Sequence, residues 1–366
     1  MPFCAHRCGY CDFTLVAGRD ELIEEYLRAL AIDLRRLEQP RLIDTLFLGG
    51  GTPSHLSARQ LSCLVELLRS WFWLAEGFEF SVEANPFELE DDKIEVLADA
   101  GVNRVSLGVQ SFDDGILAFL ERDHRRSDIG DAVERLRKRI DNISVDLIFG
   151  VPGQSLDLWR ETLREAIALA PRHVSTYGLT FEKGTPFYPR LQREEFHRAD
   201  EELERAMYAA AMDDLARAGY EQYEISNFAQ PGYRCRHNEV YWRGLPFYGF
   251  GPGAASYVAG RRDTNHRSVI TWLKRVRTGR SPFMDDESEV LSDEDQARLA
   301  IVMGLRLRDG IQKDKFQVLT GYAIEQLAGE TIDRYRELGL LEEVDSHVRL
   351  TREGCFLADT VFVDFL

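Results

Sequence analysis

The chain has 366 residues, of which 44% are hydrophobic and 29% are charged, a composition typical of folded rather than disordered proteins. Its formal net charge of −17 argues against a main role in binding nucleic-acid phosphates or anionic lipid surfaces. The sequence contains no apolar run long enough to predict an integral membrane span, and its N-terminus does not have the pattern of a secretory signal peptide.

Three of the six cysteines lie on one short segment near the start of the chain, at Cys4, Cys8 and Cys11. A long chain with few cysteines is typical of a reducing compartment, so we expect a cytoplasmic protein whose clustered thiols can bind metal. A structural zinc site needs four ligands, and ligation by His6 would strain the segment in which it lies. Three thiolates therefore favour a [4Fe–4S] cluster with one iron open to a further ligand.

Helix and strand signals alternate over the following part of the chain. The predicted helices span about 21–38, 58–69, 92–100, 129–138 and 156–169, and the predicted strands span 45–48, 78–83, 104–109, 144–149 and 173–180. This alternation predicts a parallel sheet covered by helices, either a barrel or a doubly wound sheet.

The predicted strands end in small or polar residues, at 49–52, 83–85, 110–111 and 146–150. Ligands of parallel α/β proteins bind at the carboxyl ends of the strands, so we expect the site there. The glycine run at 49–51 allows the backbone to approach a ligand closely. A tight strand-to-helix turn would by itself explain two of these glycines.

The pattern changes after about residue 190, and we expect three parts with boundaries at 1–190, 191–290 and 291–366. The second part begins with an acidic helix over about 199–218 and continues with a stretch rich in glycine and aromatic residues. The third part has the helix and hairpin order of a winged helix. It carries 9 basic and 15 acidic side chains, which favours a structural or protein-contact role over DNA binding.

Several motifs together resemble the radical S-adenosylmethionine (SAM) superfamily. The Cys-x3-Cys-x2-Cys spacing, with Tyr10 before the third cysteine, resembles the superfamily's cluster motif. Five further segments resemble its coproporphyrinogen-dehydrogenase-like branch: Gly49–Pro53, Ser81–Pro86, Gly108–Phe112, Asp146–Gly150 and Gly304–Arg306. Within that branch, Arg236–Trp242 resembles the His-Asn-x-x-Tyr-Trp motif of the HemW-type haem chaperones.

The resemblance implies an α/β fold, with an incomplete (β/α) radical-SAM barrel, a family-specific extension and a small C-terminal winged-helix-like domain. It implies that Cys4, Cys8 and Cys11 ligate the [4Fe–4S] cluster and that SAM binds the fourth iron. The SAM-contacting residues that it implies are Gly50, Gly51, Thr52, Glu83, Gln110, Arg122 and Asp146. Arg122 would pair with the methionine carboxylate of SAM, although a lone Arg or Glu is more often part of a surface salt bridge.

The resemblance also implies that His237 binds haem, since Tyr241, Trp242 and other aromatic side chains follow it closely. Cys235 is an alternative axial ligand. A structural histidine that is hydrogen-bonded inside an aromatic cluster would explain the same residues equally well. Outside these motifs, we expect His124 to be solvated, and Cys63 and Cys355 to be inert core residues.

Two features depart from the family pattern. Members carry a strand, with a tyrosine six residues before the first cluster cysteine, whereas only Met1–Phe3 precede Cys4 here. We therefore expect a barrel without its first strand and a longer natural protein. In addition, Phe13 occupies the position where the oxygen-independent coproporphyrinogen dehydrogenases have a further cysteine.

The resemblance therefore implies a protein that binds haem and delivers it to recipient haemoproteins, with the cluster and SAM as cofactors. The alternative is radical decarboxylation of coproporphyrinogen III propionates in porphyrin biosynthesis, so the question of whether the chain is an enzyme stays open. A third hypothesis is a scaffold that acts through its C-terminal wing. A homodimer, the identity of the haem recipient and the coupling of SAM cleavage to haem transfer also stay open.

Overall fold

The computed structural model describes all 366 residues, and its N-terminal part alternates strands with helices. The strands of this part are β1 (Phe3–Cys4), β2 (Val16–Ala17), β3 (Arg41–Leu48), β4 (Phe72–Ala84), β5 (Arg104–Gln110), β6 (Ile143–Phe149) and β7 (His173–Gly178). Its helices are α1 (Ile23–Leu34), α2 (Ala58–Trp71), α3 (Asp91–Asp99), α4 (Asp114–Phe119), α5 (Arg126–Arg137), α6 (Leu156–Ala168) and α7 (Phe187–Gln192). The predicted helices and strands are confirmed here, while the short helices α4 and α7 and the two-residue strands β1 and β2 were not predicted.

The local sequence explains where these helices begin. Ser57 precedes α2, where its hydroxyl accepts a hydrogen bond from the Gln60 amide while the Gln60 side chain accepts one from the Ser57 amide. This reciprocal pair satisfies two main-chain donors that the first turn of a helix leaves without partners. In the same way, the Ser155 side chain accepts from the Leu158 amide at the start of α6.

The middle part of the chain contributes the other edge of the main sheet and a second, smaller sheet. Its strands are β8 (Glu221–Gln222), β9 (Asn227–Ala229), β10 (Ala255–Val258), β11 (Arg261–Asn265) and β12 (Phe283–Val290). Its helices are α8 (Glu201–Arg217), α9 (Arg236–Trp242) and α10 (Val269–Arg277). Strands β10, β11 and β12 form an antiparallel sheet that the glycine- and aromatic-rich composition did not predict.

The main sheet has seven strands in the order β3-β4-β5-β6-β7-β9-β8 and curls into half of a barrel. Strands β3 to β7 are parallel, and β9 and β8 are antiparallel to their neighbours. The sheet contains no strand from the residues before β3, as predicted. The two residues of β1 instead pair with β2, outside the sheet.

Polar side chains line the inner face of this half-barrel. Successive residues of a strand point to opposite faces, so the register places alternate positions of β4 to β7 together inside. These inner positions are Glu79, Ser81, Glu83, Arg104, Ser106, Ser144, Asp146, His173 and Ser175. The alternate positions, such as Phe80, Val105 and Val145, are completely buried against the surrounding helices. The barrel therefore has an apolar outer layer and a polar interior.

The C-terminal part contains the two helices and the hairpin that we predicted, together with a short strand and three helices that we did not predict. Its elements are α11 (Asp293–Leu305), β13 (Ile311–Gln312), α12 (Lys313–Thr320), α13 (Ile324–Glu337), β14 (Leu341–Val344), β15 (His347–Leu350), α14 (Arg352–Phe356) and α15 (Ala358–Val363). Its three strands pair in the order β13-β15-β14. The Phe356 ring packs edge-on against Tyr208 of α8, so this part shares the barrel's hydrophobic core. No helix in the structure is long and apolar enough to cross a membrane.

Candidate functional site

The segment Cys4–Cys11, the cluster loop, lies against the carboxyl ends of the strands. The Thr52 amide donates to the carbonyl of Phe3 over 2.8 Å, which ties the start of this loop to the residues that follow β3. The Cys4 sulfur lies 3.2 Å from the Thr52 hydroxyl, and the Arg122 guanidinium donates to the Cys8 sulfur over 3.4 Å. The structure thus brings the predicted cluster and SAM residues from three chain segments together.

The thiols of the cluster loop are chemically suited to an iron–sulfur cluster. Cys4, Cys8 and Cys11 are all free and partly exposed. No three His, Cys, Asp or Glu side chains converge in the way that a single metal ion requires. In an iron–sulfur cluster the cysteine thiolates bind iron atoms of an extended group, so they need not meet at one point. Three free thiols on one loop therefore fit an iron–sulfur cluster.

The glycine loop, residues 49–52, allows close main-chain approach. A Cβ atom added at Gly51 would lie 2.6 Å from the Phe3 carbonyl oxygen, and Gly50 has a φ of +109°. Only glycine adopts this backbone at little cost. In this structure the close approach is to the first residues of the chain. The Gly50 amide also donates to the Glu83 carboxylate over 2.9 Å.

Two carboxylates, Glu83 and Asp146, face the interior of the barrel near its open end. Burial raises the pKa of Glu83 to about 7, and the charge of Asp146 adds to this rise. Burial also raises the pKa of Asp146, although hydroxyl donors, including Ser106 at 2.9 Å and Ser144 at 3.2 Å, oppose the rise. The prediction that Asp146 ends its strand is wrong, because it lies in the middle of β6.

Arg122 connects the cluster loop to the end of β5. Its guanidinium donates to Cys8 and, over 2.8 Å, to the carbonyl of Gly108, while its buried Nε has no partner. Gln110 ends β5 at a register shift and has a φ of +64°. A Cβ atom at Gly108 would lie 3.1 Å from the Gln110 amide nitrogen and 3.3 Å from Arg122, so glycine leaves room for both side chains.

His237 lies near the start of α9, against the middle of β3 and β4. Its Nδ1 is 2.8 Å from the Thr45 hydroxyl and its Nε2 is 2.8 Å from the Tyr241 hydroxyl. The imidazole stacks on Phe47 with ring centroids 4.9 Å apart. Burial lowers the pKa of His237 to about 4, so the ring is neutral near pH 7.

His237 and Tyr241 also line a groove of about 880 Å³ between β3, α1, α2, α9 and the 245–259 segment. The groove extends to Met1 and to Gly49 and Gly50 of the glycine loop. Twenty-two of the 32 lining residues are hydrophobic. This volume lies within the usual range for small-molecule and cofactor pockets. Cys235, the alternative ligand, is fully buried and does not line the groove.

Beneath the groove, a set of inner-face residues closes the barrel, and we call it the floor: Glu79, Arg104, His173 and Tyr223, with the first turn of α9. The Tyr223 hydroxyl lies 2.9 Å from His173 Nε2, and His173 Nδ1 lies 2.8 Å from the Ser144 oxygen. Ser144 donates its own proton to Asp146, so it must accept one from His173. This fixes the His173 tautomer and leaves Nε2 to accept from Tyr223.

Sequence reasoning missed the floor residues, although the sequence contains a signal for them. Strands β4 to β7 alternate polar and apolar residues, which indicates one polar face, whereas we interpreted them only as apolar strands with polar ends. Two other expectations are wrong. His124 is 2% exposed, with its Nε2 2.9 Å from the Val109 carbonyl oxygen, and Cys63 is exposed on α2. Cys355 is buried, as expected.

Comparisons with known proteins agree with this arrangement. The family model "Radical SAM superfamily" matches residues 1–166, and "HemN C-terminal domain" matches residues 291–357. The "Heme chaperone HemW" of Lactococcus lactis is 38% identical over all of this chain and 96% of its own length. The protein of the same name from Bacillus subtilis is 36% identical over all of this chain and 97% of its own length.

A solved structure supports the same fold assignment. Coproporphyrinogen III oxidase (HemN) from Escherichia coli superposes with a TM-score of 0.86, covering all of this chain and 88% of that chain. The two sequences are only 21% identical, so this similarity shows the fold alone. On the evidence of its full-length relatives, the chain belongs to the radical SAM superfamily and, within it, to the HemW family.

Proposed function

We propose that this chain is a haem chaperone, which binds haem at His237 and passes it to recipient haemoproteins. The observation that carries the proposal is the similarity, over the whole chain, to two bacterial proteins named heme chaperone HemW. The proposed partners are haem and recipient haemoproteins in the cytoplasm, without nucleic acid. The net charge of −17 is consistent with the absence of nucleic acid from this set.

The surroundings of His237 support its role as an iron ligand. A metal-binding histidine usually donates its second ring N–H to an oxygen, which fixes the tautomer and the ring orientation. Thr45 provides such an oxygen at Nδ1, and the neutral ring then keeps its lone pair on Nε2. The Tyr241 hydroxyl occupies Nε2 in this structure and would have to move for iron to bind.

The groove beside His237 supports the binding of a large apolar cargo. Its lining is mostly hydrophobic, and Phe47, Tyr241 and Phe247 contribute aromatic rings. Burial of apolar porphyrin surface would contribute about 25 cal/mol per Å². A groove that stays open to solvent suits a chaperone, because a transferred cargo must leave as well as bind.

We propose that the cofactors bind at the carboxyl ends of the strands, where the glycine loop adjoins the groove. Cys4, Cys8 and Cys11 would hold the [4Fe–4S] cluster, and the residues contacting SAM would be Gly50, Gly51, Thr52, Glu83, Gln110, Arg122 and Asp146. When bound, the cluster would supply the electron that reduces SAM. The unpartnered Nε of Arg122 is suited to an anionic group such as the methionine carboxylate.

We also propose that the chain has three parts, at 1–190, 191–290 and 291–366. The first part would hold the cluster and SAM, and the second contributes His237. The third would serve a structural or protein-contact role.

Haem titration tests the proposal. Absorption spectra of the purified protein with haemin are compared for the wild type, His237→Ala and His197→Ala, the last changing an exposed histidine. We expect His237→Ala to weaken haem binding at least tenfold and to change the Soret band, since an axial ligand is lost. His197→Ala should behave as the wild type. Equal affinities and spectra for all three proteins would contradict the assignment of His237.

A second measurement separates the chaperone from the coproporphyrinogen dehydrogenase. The reconstituted protein is incubated anaerobically with coproporphyrinogen III, SAM and a reductant. We expect no decarboxylated product, whereas haem-loaded protein should pass haem to an apo-haemoprotein. Formation of protoporphyrinogen would contradict the chaperone proposal.

A further inference from the structure

The first turn of α9 is attached to the barrel wall through its main chain. The Arg236 amide donates to Glu79 Oε2 over 2.9 Å, and the His237 amide donates to Glu79 Oε1 over 3.1 Å. The preceding Cys235 amide donates to the Tyr223 hydroxyl over 3.3 Å. The first amides of a helix have no partner inside the helix, so they are available for such contacts. Three consecutive amides thus point into the barrel.

Glu79 is the centre of this attachment. Its carboxylate accepts hydrogen bonds from the two amides, from the Ser81 hydroxyl at 3.2 Å and from the Cys235 thiol at 3.5 Å. The residue is 6% exposed, and the buried guanidinium of Arg104 supplies a positive charge beside it. Hydrogen bonds to an ionised group are shorter and stronger than those between neutral groups, so this contact resists displacement.

The position of the His237 ring follows from this main-chain contact. With the amide of His237 held by β4, the side chain reaches Thr45 and Phe47 of the neighbouring strand β3. A shift of the helix end would separate the ring from both. Glu79 therefore controls where the imidazole lies without touching the groove, whose lining does not include it.

We propose that Glu79 is a positioning residue for haem binding: its buried carboxylate holds the main chain of His237 so that the imidazole presents Nε2 to the groove. This inference rests on the proposed function, since it takes haem to bind at His237. A merely structural role of Glu79 would lower stability but would leave the bound haem unchanged.

The first test is Glu79→Gln in the full-length protein, titrated with haemin. The glutamine side chain keeps the shape, but its NH₂ group cannot accept a hydrogen bond, so one helix amide loses its acceptor. We expect haem affinity to fall about tenfold, as for other groups that orient metal ligands. The EPR signal of the bound ferric haem should become heterogeneous. The SAM-dependent change of the reconstituted cluster's EPR spectrum should stay as in the wild type.

The matched control for charge is Glu76→Gln. Glu76 is an exposed carboxylate on the same strand as Glu79, and it does not line the groove. We expect this variant to bind haem as the wild type does. An equal loss of affinity in Glu76→Gln and Glu79→Gln would show that general charge, rather than the attachment of the helix, controls binding, and would overturn the proposal.

A second pair of variants leaves Glu79 intact and therefore remains informative if Glu79→Gln does not fold. Arg236→Pro deletes the amide that donates to Oε2, at the first position of the helix, where proline is tolerated. Arg236→Ala removes the same side chain but keeps the amide. We expect Arg236→Pro to bind haem several-fold more weakly than Arg236→Ala. Equal affinities for the two variants would overturn the proposal.

The same titrations distinguish a failure of the proposed haem site at His237 from a failure of the proposed role of Glu79. If His237→Ala binds haem as the wild type does, the haem site is elsewhere, and both the proposed function at His237 and the role of Glu79 fail. If His237→Ala loses binding while Glu79→Gln keeps wild-type affinity and EPR signal, only the role of Glu79 fails.

Discussion

The two ends of the barrel differ in how much solvent reaches their polar groups. At the rim, which comprises the cluster loop, the glycine loop and the ends of β4 and β5, the three thiols and the Glu83, Gln110 and Arg122 side chains are partly exposed. At the floor, Glu79, Arg104, His173 and Tyr223 are at most 6% exposed.

This difference indicates different roles for the two ends. A partly exposed group can exchange water or a weak partner for a ligand at little cost. A buried polar group that loses its partner costs about 1–3 kcal/mol, so its contacts are effectively permanent. The rim is therefore suited to binding cofactors, and the floor is suited to fixing the helix that presents His237.

The largest expected effect is the loss of the iron–sulfur cluster without the loss of haem binding. A triple variant with Cys4, Cys8 and Cys11 changed to alanine should take up no iron or sulfide on anaerobic reconstitution, because the thiolate donors are gone. It should still bind haem, since none of the three cysteines lines the groove beside His237. Chemical iron and sulfide assays, EPR and haem titration measure both properties.

Cys63→Ala is the control for that variant, because Cys63 is also free and is exposed on α2. It should take up iron and sulfide as the wild type does. Cluster formation in the triple variant would contradict the assignment of the loop, and loss of haem binding there would break the separation of rim and floor.

The second prediction concerns the pH dependence of stability next to the rim. Beside the glycine loop, His55 lies 2.7 Å from Glu88 and 2.9 Å from Asp20. The hydrogen bond to Glu88, then that to Asp20, raises the pKa of His55 from 6.5 to about 9. The pairing therefore stabilises the fold fully below about pH 6.5, and this stabilisation is lost as the pH rises through 9.

Urea unfolding of the wild type and of His55→Gln at several pH values measures this effect. The difference in free energy of unfolding should be about 2–3 kcal/mol near pH 6.5 and small near pH 10. The buried His173 of the floor is neutral throughout, because burial holds its pKa well below 6.5. A difference that does not change with pH would show that His55 is not charged in the folded protein.

The difference between the rim and the floor also explains which residues could be predicted from the sequence. The rim residues lie in short contiguous motifs, such as the glycine loop. The alternation of elements predicted the fold class, and the resemblance to the superfamily supplied the candidate cofactor residues, which stay a prediction. The main exception at this end is Asp146, whose place in the middle of β6 depends on where pairing with β7 begins.

The floor could not be predicted because its contacts join distant parts of the chain. Glu79 and His237 are 158 positions apart, and Thr45 and His237 are 192 apart. Which inner-face side chain meets which helix amide depends on strand register and on the path of the chain between β9 and α9. Periodicity alone shows that one face is polar, but it does not show what that face contacts.

The third prediction concerns Thr45, the partner of the His237 ring on β3. Thr45→Val keeps the shape of the side chain but removes the oxygen that faces His237 Nδ1. We expect haem affinity to fall about tenfold, because the ring loses the partner that fixes its tautomer. Thr45→Ser keeps the hydroxyl and should bind nearly as the wild type does. Equal binding by both variants would show that Thr45 does not orient the ring.

The smallest expected effect concerns the hydrogen bonds that join Ser144, His173 and Tyr223. Its measurement tests how much these bonds contribute to the free energy of unfolding. Ser144→Ala removes the acceptor of His173 Nδ1, while Asp146 keeps its bond from Ser106. The orphaned ring donor should lower the free energy of unfolding by about 1–2 kcal/mol in urea. Ser70→Ala, at an exposed position of α2, should change it little. If both variants are equally stable, His173 finds another partner, and the floor is no more rigid than the rim.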